Sequence, residues 1–231
     1  MAQSSTRSTI NVERDVSVPA GTVTLPGTLG VPGQGHGVVL FAHGSGSSRL
    51  SPRNRYVARA LRDAGLATLL IDLLSPDEEQ ADMVTGGLRF DIGLLAARLV
   101  DAIEWLAAEP STRARRVGLF GASTGGGAAL VAAAERPDSV GAVVSRGGRP
   151  DLAGDALPRV SAPTLLVVGG EDDVVIALNQ QALEQMRAEV RLEIVPGATH
   201  LFEEPGALEQ VAALAADWFR QHLASGVENG G

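Results

Sequence analysis

The sequence predicts an α/β protein, with an open and mostly parallel sheet covered by helices on both faces. Short continuous apolar runs alternate with stretches of helical periodicity along most of the chain. The runs are bounded by Gly, Pro and Ser clusters, as buried strands are. At 231 residues, 45% of them hydrophobic, the chain is long enough to bury a sizeable core as one unit. Residues 1–231 are therefore read as a single domain, with flexible ends at 1–9 and 225–231.

Residues 10–30 alternate apolar and polar (Val16, Val18, Val23, Leu25) around Pro19, Ala20 and Gly21, which predicts an antiparallel hairpin leading into the domain. The run at 38–42 is the first core strand. A Gly/Ser loop and a helix over 53–63 follow, with Tyr56, Val57, Ala60 and Leu61 at helical spacing. Strand 67–71 precedes a long irregular tract, 74–88, acidic at first (Asp77, Glu78, Glu79, Asp82) and ending in two glycines; it reads either as a lid or as a solvated connection. An amphipathic helix is expected over 90–108, a strand over 117–120, and a helix over 128–135 stopped before Pro137. Strands over 140–144 and 164–168, a helix over 178–188, a strand over 192–195 and a closing helix over 207–223 complete the series. The gap between the strands ending near 144 and starting near 164 is too short for a large cap domain.

Composition narrows the chemistry. With no cysteine there is no disulfide, thiolate nucleophile, Fe–S cluster or zinc ribbon. All 19 basic residues are Arg, which excludes a Schiff-base or P-loop lysine; a GC-rich coding genome accounts for the bias. A net charge of −8 and only eight aromatics argue against nucleic acid. The polar N-terminus lacks the apolar core of a secretory signal, so a cytoplasmic location is expected. The uncharged stretch 117–134 is interrupted by glycine, serine and threonine and reads as strand, turn and helix rather than a membrane span.

In an open α/β sheet, ligands bind beyond the carboxyl ends of the strands, so the loops there carry the chemistry. The sharpest signal is Gly121-Ala122-Ser123-Thr124-Gly125, between a strand and an Ala-rich helix. A G-x-S-x-G elbow requires that context, because the chain reverses sharply and holds the serine in a strained conformation with its Oγ exposed. A serine hydroxyl needs a base and an orienting carboxylate. Of the four histidines, His200 follows the last core strand on a loop and is the predicted base. His36 and His222 read as structural or exposed, and His43 lies on the oxyanion side. Glu171, Asp172 and Asp173 follow the strand at 164–168; Asp172 is the predicted acid and Asp173 its substitute, since spacing does not separate neighbours in a turn. The backbone N–H groups of Thr124, at a helix N-terminus, and Ser45, in His43-Gly44-Ser45-Gly46, are the expected oxyanion donors.

Together these residues resemble the α/β-hydrolase superfamily, and within it the dienelactone-hydrolase-like branch. The resemblance covers roughly 38–223 and rests on the 43–46 loop, the elbow around Ser123, the turn from Gly169 to Asp172, and His200, in the superfamily order of nucleophile, acid, histidine. It implies cofactor-free cleavage of an ester, lactone or thioester through an acyl-enzyme. Dienelactone hydrolases proper use cysteine as nucleophile; with serine in its place, the resemblance points to a carboxylesterase-like activity.

Two arginines in the loop after 140–144, Arg146 and Arg149, with Arg49 and Arg53 after the oxyanion loop, either clamp a substrate carboxylate or phosphate or form salt bridges at the surface; the second reading is preferred. His43 is also placed among the substrate-contacting residues. No metal site and no cofactor are expected, and the partner is a small ester-type molecule rather than nucleic acid or membrane, with the chain a monomer or homodimer. Three rivals are carried. A perhydrolase or haloperoxidase shares the same triad, and a non-catalytic binding protein shares the fold. In a nucleotide-binding domain, residues 44–49 imitate a dinucleotide fingerprint in which Arg49 replaces the third glycine.

Overall fold

The computed structural model describes residues 12–33, 35 and 37–224. The expectations for 1–9, 225–231 and His36 lie outside the described residues. An eight-stranded sheet runs in the order β1-β2-β4-β3-β5-β6-β7-β8. β1 (Val12–Ala20) and β2 (Val23–Val31) form the expected antiparallel hairpin, and β2 runs antiparallel to β4 (Ala67–Ile71). From β4 onward every pairing is parallel: β3 (Gly37–Ala42), β5 (Arg116–Ala122), β6 (Val140–Arg146), β7 (Thr164–Gly169) and β8 (Val190–Val195).

The parallel strands are apolar throughout because both faces are covered. In β3, Val38, Leu40 and Ala42 enter the core shared with α3 (Ile92–Ala108) and α4 (Thr124–Glu135). Val39 and Phe41 enter the opposite core, under α1 (Pro52–Asp63) and α6 (Ala207–Leu223). Phe41 and Phe120 meet there with ring centroids 4.9 Å apart. Parallel strands place all their carboxyl ends on one edge of the sheet, so the loops carrying Ser45, Ser123, Arg146, Asp172 and His200 converge on that edge.

The tract at 74–88 is not irregular. It holds α2 (Pro76–Thr85), started by a reciprocal capping box in which the Ser75 hydroxyl accepts from Glu78 N–H and the Glu78 carboxylate accepts from Ser75 N–H. A 3-10 turn, Leu88–Phe90, follows. Ser-Pro-Asp-Glu is a helix-start signature. The acidic run obscured it because α2 has no continuous apolar face to register as helical periodicity. α4 begins at Thr124 rather than 128, so three consecutive glycines are helical, and α5 (Asp173–Gln185) begins earlier than expected. A short helical segment, Pro150–Arg159, joins β6 to β7. The uncharged stretch at 117–134 divides into β5 and α4, and among the described residues no helix is long and apolar enough to cross a membrane.

Candidate active site

Ser123 sits between β5 and α4 with φ 52° and ψ −124°. A left-handed conformation at a non-glycine residue costs about 1–3 kcal/mol and persists only where the surroundings enforce it. Here three backbone bonds enforce it: Ser123 N–H donates to Arg146 C=O (3.3 Å), and its own carbonyl accepts from Gly126 N–H (2.9 Å) and Arg149 N–H (3.0 Å). Close packing adds to them, since a Cβ on Gly44 would lie 3.0 Å from Ser123 Cβ, and one on Gly125 would collide with the Ala42 and His43 carbonyls.

His200 Nδ1 lies 2.7 Å from Asp172 Oδ2. A carboxylate only accepts, so Nδ1 carries the proton and Nε2 is left as an acceptor. Asp172 also caps α5, its other oxygen accepting from Val175 N–H at 3.4 Å. Asp173 is the first residue of that helix, so the carboxylate meeting His200 belongs to Asp172. The Asp172 side chain is 16% exposed and that of His200 39%. Among the described residues no hydrogen bond joins Ser123 Oγ to His200. The two flank the same residue instead: Gly147 follows the carbonyl that holds Ser123 N–H, and a Cβ on it would stand 3.5 Å from His200 Cε1 and 3.2 Å from the His200 carbonyl. Gly147 has φ +50°, which also favours glycine there.

On the other side of Ser123, Ser45 N–H is not open. It donates to Thr124 Oγ1 at 2.9 Å, so one of the two expected oxyanion donors is occupied by the side chain of the other's residue. His43 holds this loop in place. Its Nδ1–H donates to Gly44 C=O (2.9 Å) and its Nε2 accepts from Leu73 N–H (3.0 Å), so both ring nitrogens are used within the protein. Burial lowers the His43 pKa below its usual 6.5, against smaller opposing contributions from the Gly44 bond, Asp72 and Glu79. The neutral tautomer that both bonds require is the favoured form.

The arginines divide. Arg49 binds Asp72 through its backbone N–H (2.7 Å) and guanidinium (2.6 Å), and Arg149 grips Asp151 with two bonds of 2.8 and 2.7 Å. Arg53 pairs with exposed Glu203 at 2.9 Å. Among the described residues Arg146 alone of the four has no carboxylate partner; its Cζ lies over the Phe202 ring, 5.8 Å from the centroid. Two contributors were missed in the sequence. Asn179 is fully buried and donates to Gly148 C=O at 3.1 Å, steadying the loop after β6; its signal is an amide in register with buried Val175 and Ala182 on α5. Phe202, with φ 56°, shapes the backbone just after His200.

A cavity of about 210 Å³ adjoins the oxyanion loop, lined by His43 to Ser47, Leu73, Leu74, Met83 and Leu95 among others. Its lining includes none of Ser123, Asp172 and His200. One wall is α2, with Asp82 anchored by Arg89 and by Leu88 N–H. Burial would raise the Asp82 carboxyl, but these bonds outweigh it and hold it below the usual range. Among the described residues no cluster of three or more His, Asp or Glu is arranged to hold a metal ion.

The sheet order, the serine elbow and the histidine–carboxylate pair at the strand ends define an α/β-hydrolase-type enzyme fold. A model of the dienelactone hydrolase family matches residues 25–224, and the chain belongs to that family. A dienelactone hydrolase structure from Anabaena variabilis is 65% identical, with a TM-score of 0.91 over 92% of this chain and 99% of that one. Est1E from Butyrivibrio proteoclasticus shares the fold at 16% identity, with a TM-score of 0.75 over 90% of this chain and 98% of that one. Proteins from two Mycobacterium tuberculosis strains, provisionally named phosphoribosyl transferases, are each 60% identical over 211 residues, covering 91% of this chain and 47% of theirs. The chain spans about half the length of these curated relatives.

Proposed function

We propose that the protein is a serine hydrolase that cleaves a small carboxylic ester, lactone or thioester through an acyl-enzyme. The observation that carries this is the 2.7 Å Asp172–His200 bond, which leaves Nε2 as a base on the strand-end edge that also presents the strained Ser123. Ser123 Oγ attacks the acyl carbon as His200 Nε2 takes its proton, and Asp172 fixes the tautomer and stabilises the imidazolium. The developing oxyanion is met by Thr124 N–H at the start of α4 and by Ser45 N–H once the Thr124 hydroxyl yields it. His200 then protonates the leaving group; water, activated by the same nitrogen, releases the acid. The Ser123 hydroxyl reaches His200 by side-chain rotation, a tightening typical of substrate binding. The cavity beside the 43–47 loop takes an apolar acyl group against Leu73, Leu74, Met83 and Leu95.

Reaction with a fluorophosphonate, read by intact mass and peptide mapping, tests the assignment. One adduct on Ser123, absent in Ser123→Ala, is expected. Folded protein that takes no label, or a Ser123→Ala variant that still takes it, overturns the nucleophile.

A further inference from the structure

We propose that Asn179 is a positioning residue for the nucleophile: through the Gly148 carbonyl it fixes Ser123 in register with the Asp172–His200 pair, and α5 is the rigid link between them. The catalytic consequence rests on the serine hydrolase reading; the mechanical link does not.

α5 buries three residues, Val175, Asn179 and Ala182. Apolar side chains fill such a stripe at no cost in hydrogen bonds, whereas a fully buried amide has to find partners for both its ends. Asn179 Nδ2 donates to Val175 C=O at 2.8 Å and to Gly148 C=O at 3.1 Å. Two carbonyls at one end of the amide identify that end as the nitrogen. Oδ1 is buried with no donor among the described residues. A half-satisfied amide is a poor way to stabilise a helix. What it adds is a hold on the loop after β6.

That loop in turn holds the nucleophile, since Arg146 C=O accepts from Ser123 N–H and Arg149 N–H donates to Ser123 C=O. Its two middle residues are glycines, the freest in backbone conformation, and each is pinned separately. Gly147 N–H donates to Val167 C=O at 2.7 Å. Gly148 is packed so closely that a Cβ on it would stand 1.8 Å from Ser145 Oγ, and a Cβ on Gly126, in the first turn of α4, would stand 3.0 Å from Gly148 Cα. Asn179 then takes the Gly148 carbonyl. The same helix carries the candidate acid: Asp172 caps α5, its Oδ1 accepting from Val175 N–H, while Val175 C=O accepts from Asn179. Asp172, Val175 and Asn179 therefore stand within two turns of one helix. A continuous series of contacts runs from His200 through Asp172, Val175, Asn179 and Gly148 to Arg149, which grips Ser123. A misplacement of about 1 Å between reacting groups costs on the order of a hundredfold in rate, so this series is where register between base and nucleophile is set.

The test compares wild type, Asn179→Ala and Ala182→Gly, the last a buried substitution that loosens α5 without removing a hydrogen bond to Gly148. Turnover of an aryl acetate, the rate of fluorophosphonate labelling, unfolding temperature and peptide-level amide hydrogen exchange are read for each. Asn179→Ala is expected to lower kcat by about ten- to a hundredfold with KM changed less than about twofold, and to slow labelling by a similar factor. Exchange should quicken in 121–127 and 146–150, while 196–204, around His200, keeps its wild-type protection. Ala182→Gly should also lower the unfolding temperature, yet keep kcat within about twofold of wild type. Equal effects of the two variants on kcat, or wild-type exchange at 121–127 in Asn179→Ala, overturn the proposal and leave Asn179 as an amide that serves the helix alone. Should Asn179→Ala fail to fold, Gly148→Ala decides: its Cβ drives the loop off Ser145, so kcat should fall likewise and be partly restored by adding Ser145→Ala. No fall, or a fall that Ser145→Ala does not relieve, counts against the link. Wild type that turns over no ester and takes no label fails the hydrolase reading, whereas the exchange arm needs no turnover and still decides whether Asn179 holds Ser123.

Discussion

On the flank of Ser123 formed by the 43–47 loop, the protein answers most of its own polar groups, the buried Nε of Arg49 excepted. His43 uses both ring nitrogens, Arg49 is bound to Asp72, Asp82 is bound by Arg89, and Ser45 N–H is taken by Thr124. On the flank formed by His200, Nε and Nη1 of Arg146 and the Nε of Arg53 are buried without acceptors among the described residues, and Phe202 is held at positive φ. The first flank is built to keep a loop still, since displacing any member leaves a buried partner unsatisfied. The second holds the candidate base on one strong bond and leaves hydrogen-bonding capacity unspent. In the proposed reaction the first flank meets the carbonyl end of the substrate and the second faces its remaining parts.

The contrast is breakable, and the largest effect falls on the open flank. Asp172→Asn should lower kcat on an aryl acetate by roughly 10³–10⁴-fold, because the amide favours the wrong imidazole tautomer, while Asp173→Asn should change it little. The opposite ranking would exchange their roles. Gly147→Ala comes next: its Cβ strains a residue at φ +50° and presses on the His200 backbone and ring, so kcat should fall about 10²-fold with a lower unfolding temperature. Unchanged kcat would show that His200 is held by Asp172 alone.

Smaller effects are expected on the finished flank. Thr124→Val removes the acceptor that occupies Ser45 N–H and should raise kcat between about two- and tenfold, the worth of one ordinary hydrogen bond. A fall instead would mean that the hydroxyl itself donates to the oxyanion. The smallest is a pH effect. His43 has a folded pKa below its unfolded value of 6.5, so the unfolded chain binds the extra proton first. Its stabilising contribution is complete above 6.5 and is lost as pH falls from there toward the lowered folded value. The unfolding temperature of wild type should drop across that window, and His43→Asn, lower at neutral pH, should lack that part of the slope. Parallel slopes would remove His43 as the linchpin of the 43–47 loop.

Most of the fold was legible because buried parallel strands need uninterrupted apolar runs, and 38–42, 67–71 and 164–168 have them. α2 was hidden because its start is polar chemistry, Ser75 with Glu78, rather than periodicity, and α4 began early because its first turn is Gly125 to Gly127, residues of poor helix propensity held by the elbow. Among the candidate site residues, Ser123 was legible through its strand–turn–helix setting, and His200 through its place after the last strand. Asn179 and Phe202 were not, since an amide on α5 and a ring after a histidine acquire roles only from what the fold sets beside them.

By itself the sequence determined the chemistry available: no thiol, no lysine, a serine at a small-residue elbow, and enough apolar runs for one doubly covered sheet. Only the tertiary structure decided between neighbours and between identical residue types. Asp172 rather than Asp173 meets His200, Arg49 and Arg149 are spent on Asp72 and Asp151 while Arg146 faces the Phe202 ring, and Ser45 N–H points at a threonine. The physical reason is range. Strand runs and turns are set by a residue's nearest few neighbours, whereas the partner of a charge or a backbone donor is whatever lies within about 3 Å after the chain has closed on itself.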